Sequence, residues 1–142
     1  MMSLTSRRMK TSRHWFPIEP VPASRPRVRT IKTKDGRTFS STYYAGRYAQ
    51  FIKDADKAIP RAEHTHQGEL EVTVLCRVLK PKTTKRSNPR GDIDNYLKGV
   101  LDALTKKGYW NDDDQIVELH ASKVFVVNPD SAGISLTIVE LS

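Results

Sequence analysis

Between Leu70 and Leu104 the hydrophobic period of this chain changes once, and that change restricts the fold more than any other feature. Leu70, Val72, Val74, Cys76 and Val78 alternate with Glu71, Thr73, Leu75, Arg77 and Leu79. A period of two with one strongly apolar side predicts a long strand with one face buried. From Ile93 the period lengthens: Ile93, Leu97, Val100, Leu101 and Leu104 form one stripe about 100° wide, which predicts a helix packed on a core. Between them Lys80–Arg90 carries five basic residues, no acidic one, and Pro81 and Pro89, so it reads as an irregular basic loop.

The rest of the chain adds strands and one more helix. His14 to Ile18 suggests a first strand, confined to an edge or terminus by Pro17, Pro20 and Pro22. Arg25, Arg27 and Arg29 alternate with Pro26, Val28 and Thr30, so an extended conformation puts three guanidiniums on one side, as a phosphate-facing ribbon or as an exposed hairpin strand turned at Asp35-Gly36. Tyr44, Tyr48, Phe51, Ile52, Ala55 and Ile59 recur at helical spacing, with Ser40, Ser41 or Thr42 as candidate caps and Pro60 as the stop. Residues 115–127 and 133–141 read as two final strands, expected to pair as a hairpin about Asn128–Gly133. The expected fold is a single α+β domain over 13–142 with a mixed sheet and two main helices. Residues 1–12, rich in Ser, Thr and Arg without periodicity, are expected to be a flexible basic arm.

At 142 residues one core is feasible without disulfides, and the lone Cys76 sits on an apolar face as a small hydrophobe. No apolar run is long enough to span a membrane, and with a single cysteine a reducing, cytoplasmic setting is the expectation. His64 and His66, two apart in a polar loop, could bind a metal, but in sequence they read as ordinary loop composition. The net charge of +8 is unevenly placed: residues 1–90 carry +13 and residues 91–142 carry −5. A basic body around a compact acidic site suits a polyanion on the first and metal cations on the second.

The acidic site brackets the predicted helix. Asp92 and Asp94 lie at its start, Lys98 one turn after Asp94, Asp102 one turn further, and Asp112, Asp113 and Asp114 follow the stop at Gly108. Carboxylates brought together by a turn at 108–114 would suit Mg²⁺, or Mn²⁺, which take hard oxygen ligands and keep positions for water and phosphate. An EF-hand is excluded, since the sixth position from Asp92 is Leu97 and the twelfth is Ala103. The competing reading is a non-catalytic nucleic-acid-binding module in which the aspartates only cap a helix. Extending the Val117, Leu119, Ala121 alternation backwards would put Asp113 on their side of the chain and Asp112 and Asp114 on the other.

Gly91-Asp-Ile-Asp-Asn-Tyr-Leu-Lys98 with Leu101-Asp-Ala-Leu104, Trp110-Asn-Asp-Asp113, Gln115-Ile-Val117 and Lys123 resembles the RusA family of Holliday junction resolvases, and Pro22-x-x-Arg25-Pro-Arg27 resembles the start of many phage-encoded members. The resemblance implies a metal-dependent endonuclease, acting as a homodimer on branched DNA such as a four-way junction. By position Asp92, Asp94 and Asp113 match its essential carboxylates and Lys98 its essential lysine. Where the family commonly has two acidic residues, this chain has three, so Asp112 and Asp114 compete with Asp113. Arg25, Arg27, Arg29, Lys80, Lys82, Lys85, Arg86, Arg90 and Lys123 are the expected DNA contacts.

Overall fold

A computed structural model describes residues 10–141. The strands are β1 (Thr11–Phe16), β2 (Arg27–Lys32), β3 (Thr38–Tyr43), β4 (Leu70–Leu79), β5 (Ile116–Val126) and β6 (Gly133–Glu140); the helices are α1 (Gly46–Ala58) and α2 (Ile93–Lys106). Four strands form the main sheet in the order β1-β6-β4-β5, and β2 and β3 form a separate antiparallel ribbon. The α+β expectation holds. Most of the expected arm lies outside the described residues, but Thr11 and Ser12 belong to β1, paired with Val139 and Ile138.

Alternation builds the core as the sequence requires. Leu70, Val72, Val74 and Cys76 of β4 are buried beside Ile134, Leu136 and Ile138 of β6 and Phe16 of β1. Against them pack Tyr48, Phe51 and Ala55 of α1 and Tyr96, Val100 and Leu104 of α2. Gly99 lets the helices approach: a Cβ there would stand 3.0 Å from Tyr48 Cε1 and 3.2 Å from Phe51 Cε2. Burial pushes the Cys76 thiol up to about 12, as befits a packing residue.

Two expectations are corrected. Ser40, Ser41 and Thr42 do not cap a helix but lie in β3, opposite Thr30, Arg29 and Val28. α1 begins after Ala45 without a side-chain cap. A ribbon rich in Thr and Ser, with Val28, Ile31, Phe39 and Tyr43, satisfies its backbone by pairing, so the hydroxyls have no helix end to serve.

The final strands are not a hairpin either, because β4 lies between them, parallel to β5 and antiparallel to β6. β4, α2 and β5 form a βαβ unit, the connection that parallel pairing requires. A 3₁₀ turn at Pro129–Ser131 then carries the chain past β4 to its free side. That topology places the start of α2 at the end of β4, and Asp113 at the start of β5.

Candidate nuclease site

α2 starts from a clamped stretch of backbone. Three successive carbonyls before Asp92 are held: that of Pro89 by the Lys123 ammonium at 2.7 Å, that of Arg90 by the Tyr96 hydroxyl at 2.7 Å, and that of Gly91 again by Lys123. Pro89 is fully buried. Gly91 has φ +104°, and a Cβ there would meet Pro22 Cγ at 2.9 Å, so glycine is required twice over. Pro22 is seated by the next residue, whose amide donates to the Asn95 carbonyl at 2.9 Å.

Asp92 and Asp94 project from this clamped start, both exposed. Asp92 occupies the N-cap with extended backbone, yet its side chain makes no capping hydrogen bond. The simplest structural role for a carboxylate at that place is therefore unused. Asp94 accepts from the adjacent Asn95 amide, at 3.0 Å. Lys98 stands 3.9 Å from Asp102, an exposed i,i+4 pair that contributes a few tenths of a kcal/mol at about that spacing.

The acidic triplet is sorted by a short 3₁₀ helix, Asp113–Gln115, which breaks the strand alternation expected there. Asp112 is its cap, accepting from the Asp114 amide at 2.9 Å. Gln115 completes the box: its Oε1 accepts from the amides of Asn111 and Asp112, and its Nε2 donates to the carbonyls of His66 and Gly68. Asp112 and Gln115 thus build the turn that presents exposed Asp113 and Asp114. The D-x-x-Q spacing of a capping box was the available signal for this.

Within one chain the expected convergence does not occur. Asp92 and Asp94 stand at the start of α2, whereas Asp113 follows its end, and a helix of 14 residues rises about 21 Å. β5 confirms the span: from Ile116, beside the turn, to Lys123, which touches the Gly91 carbonyl, the strand advances roughly 23 Å. Asp92 and Asp94 are neighbours, and Asp113 lies at the opposite end of the βαβ unit. Among the described residues, tight three-ligand groups occur elsewhere, at His64-His66-Glu140 and Glu71-Glu118-His120.

The basic residues separate into two groups. Arg27 and Arg29 share a face of β2, with the Arg29 guanidinium 4.6 Å from the Tyr43 ring centroid, and Arg25 is exposed just before it. Lys80, Lys82, Lys85, Arg86 and Arg90 are exposed along the loop. Arg86 also shapes that loop through the Asn88 carbonyl at 3.1 Å. Arg47, Arg86 and Arg90 line a cleft of about 280 Å³ beside Gly91 and Tyr96. Arg47 was missed, because nothing in sequence relates the first turn of α1 to the loop before α2.

Lys123 has a different position from the one expected of a DNA contact. It is half-buried and its ammonium is committed to two carbonyls. Lys123→Met should therefore lower stability by about 2 kcal/mol, the scale of hydrogen bonds to a charged group. The salt dependence of any DNA binding should stay unchanged. A salt slope lowered by about one contact, with normal stability, would return Lys123 to the DNA surface.

Exposed carboxylates at a helix start thus lie beside a cleft rimmed by arginines in this α+β domain. The family model described as endodeoxyribonuclease RusA matches residues 17–138, and the chain belongs to that family. Proteins named crossover junction endodeoxyribonuclease RusA from Escherichia coli (strain K12), Shigella sonnei (strain Ss046) and Enterobacteria phage 82 are each 42% identical to it over 52 residues. That match takes in 37% of this chain and 42% of the relative, so the chain spans less than half the length of the curated relatives it matches.

Proposed function

We propose that this protein is a divalent-metal-dependent endodeoxyribonuclease that cuts four-way DNA junctions in paired strands as a homodimer. The observation that carries the reading, beside family membership, is Asp92 at the N-cap with no capping hydrogen bond, on a backbone clamped at three carbonyls. A site pre-positioned in this way keeps its carboxylates available for a ligand. Asp92 and Asp94, with Asp113, are an all-oxygen donor set that fits Mg²⁺ or Mn²⁺. When bound, such an ion supplies Lewis acidity at a phosphoryl oxygen and eases deprotonation of water.

The chain's own residues then have separable tasks. The Lys98 ammonium, one turn after Asp94, offsets charge that builds on the phosphate, and Asp102 restrains it. Arg47, Arg86 and Arg90 grip the DNA backbone beside the site, and the exposed lysines of the 80–90 loop extend that surface. Arg25, Arg27 and Arg29 on and before the ribbon reach a second part of the substrate.

A second copy of the chain answers the separation of Asp113 from Asp92 and Asp94. Among the described residues β5 is a sheet edge bonded only to β4, and Val117 and Leu119 on it are 52% and 41% exposed. Two β5 edges meeting antiparallel about a two-fold axis would carry the start of one towards the end of the other. That movement brings Asp113 of one copy towards Asp92 and Asp94 of the other. Tyr109 and Trp110 are buried in the core. Val127, at 84% exposure, remains available.

The deciding assay incubates the protein with labelled four-way junction, linear duplex or single strand, each with Mg²⁺ or EDTA. Paired symmetric nicks in the junction, dependent on Mg²⁺, are expected. Binding without cleavage under every condition would favour a non-catalytic DNA-binding module, and equal cutting of duplex and junction would leave a less selective nuclease.

A further inference from the structure

Topology brings together a second set of ligating side chains that the nuclease reading does not use, and we propose that His64, His66 and Glu140 bind Zn²⁺ or a similar late first-row divalent ion. Glu140 ends β6, far in sequence from the 61–68 segment, yet its Oε1 accepts from His64 Nε2 at 2.8 Å and His66 Nδ1 at 2.9 Å. The Gln67 amide adds a third donor at 3.2 Å. The two imidazoles stand edge to face with centroids 4.7 Å apart, and one ligand atom from each of the three side chains lies within 4.8 Å of the others. One ion pair would satisfy one carboxylate oxygen; two imidazole nitrogens and an amide converge on this one.

The surroundings are those of a metal-binding histidine. His66 is 2% exposed, and its far nitrogen, Nε2, is 2.7 Å from Ser12 Oγ, which His14 Nε2 holds in turn at 2.9 Å. A fixed partner on the second ring nitrogen sets the tautomer and orientation that a ligating imidazole needs. His64 is exposed at the rim of a cleft of about 380 Å³, also lined by Pro60, Arg61 and Tyr109. Two imidazoles and one carboxylate are a zinc set with a fourth position free for water or a small ligand. The two sites therefore differ in kind: nitrogen donors favour zinc here, whereas the all-oxygen aspartates favour magnesium. The His66 carbonyl also accepts from Gln115, so an ion here would brace the turn that carries Asp113.

Cobalt(II) titrated into EDTA-treated full-length protein, with excess Mg²⁺ present, gives a readout independent of cleavage. One equivalent should bind with the visible bands of a four-coordinate site, and Zn²⁺ should displace it. His64→Ala, at an exposed position, should abolish that signal, with Glu140→Gln as the second variant. Ser12→Ala should weaken binding by about 10- to 100-fold. His120→Ala and Asp94→Asn should leave it unchanged, since they report on the Glu71-Glu118-His120 group and on the nuclease site. Absence of binding at micromolar metal, survival of the signal in folded His64→Ala, or its loss in His120→Ala or Asp94→Asn would overturn the assignment.

Discussion

Asp94→Asn and Asp113→Asn should each lower Mg²⁺-dependent cleavage by roughly three orders of magnitude, whereas Asp112→Asn should leave it close to normal. A metal centre contributes several kcal/mol of transition-state charge stabilisation, and about 1.4 kcal/mol is a tenfold change in rate. Exchanging one charged ligand oxygen for an amide nitrogen removes much of that. Neither Asp94 nor Asp113 supports its local backbone from a buried position, so fold and DNA binding should survive. Asp112 differs because its carboxylate is spent on the Asp114 amide. Asparagine caps about as well as aspartate, and only Asp112→Ala should show a loss, of about 1 kcal/mol, in urea unfolding. Normal cleavage by folded Asp113→Asn, beside a severe loss in Asp112→Asn, would exchange the roles of the two residues.

The parts of the molecule legible in sequence are those governed by periodicity along one element. β4 runs over the expected Leu70–Leu79, and α2 begins at the expected Ile93. The buried face of α2 is shifted from the expected stripe towards Tyr96 and Gly99, because α1 crosses there and only a residue without a side chain fits against Tyr48 and Phe51. Pairing partners were not legible. Two strands separated by a short turn read as a hairpin until β4, bonded to both, supplies the alternative. Ser40 to Thr42 failed for a related reason: hydroxyls favour helix caps and exposed strands alike, and β2 decides between them.

The candidate site divides along the same line. The type and spacing of Asp92, Asp94 and Lys98 are local facts and could be read directly. The function of Lys123 depends on a loop 32 residues earlier in the chain. Glu140 meets His66 across a separation of 74 residues, so the His64-His66 pair could not be distinguished from loop composition without the sheet. Asp113 was recognised by motif, but its distance from Asp92 follows only from the parallel course of β5, which the expected hairpin had concealed.

Mixing two inactive variants tests that distance directly. If Asp92 and Asp94 of one copy share a site with Asp113 of the other, a heterodimer of Asp94→Asn with Asp113→Asn contains one site bearing both defects and one site bearing neither. Free exchange makes about half the dimers mixed, so roughly a quarter of the wild-type number of intact sites should return. Each mixed dimer retains a single cutting centre, so the recovered product should be a nicked junction rather than two resolved duplexes. Cleavage should rise from near zero in either variant alone to a readily measured rate after the two are unfolded together and refolded. If all three carboxylates of a site came from one chain, every site in the mixture would carry a defect, and no activity would return however the copies exchanged. Persistent inactivity in a mixture shown by mass spectrometry to contain heterodimers would therefore rule out the shared site, and would require the 108–115 turn to cross about 20 Å within its own chain.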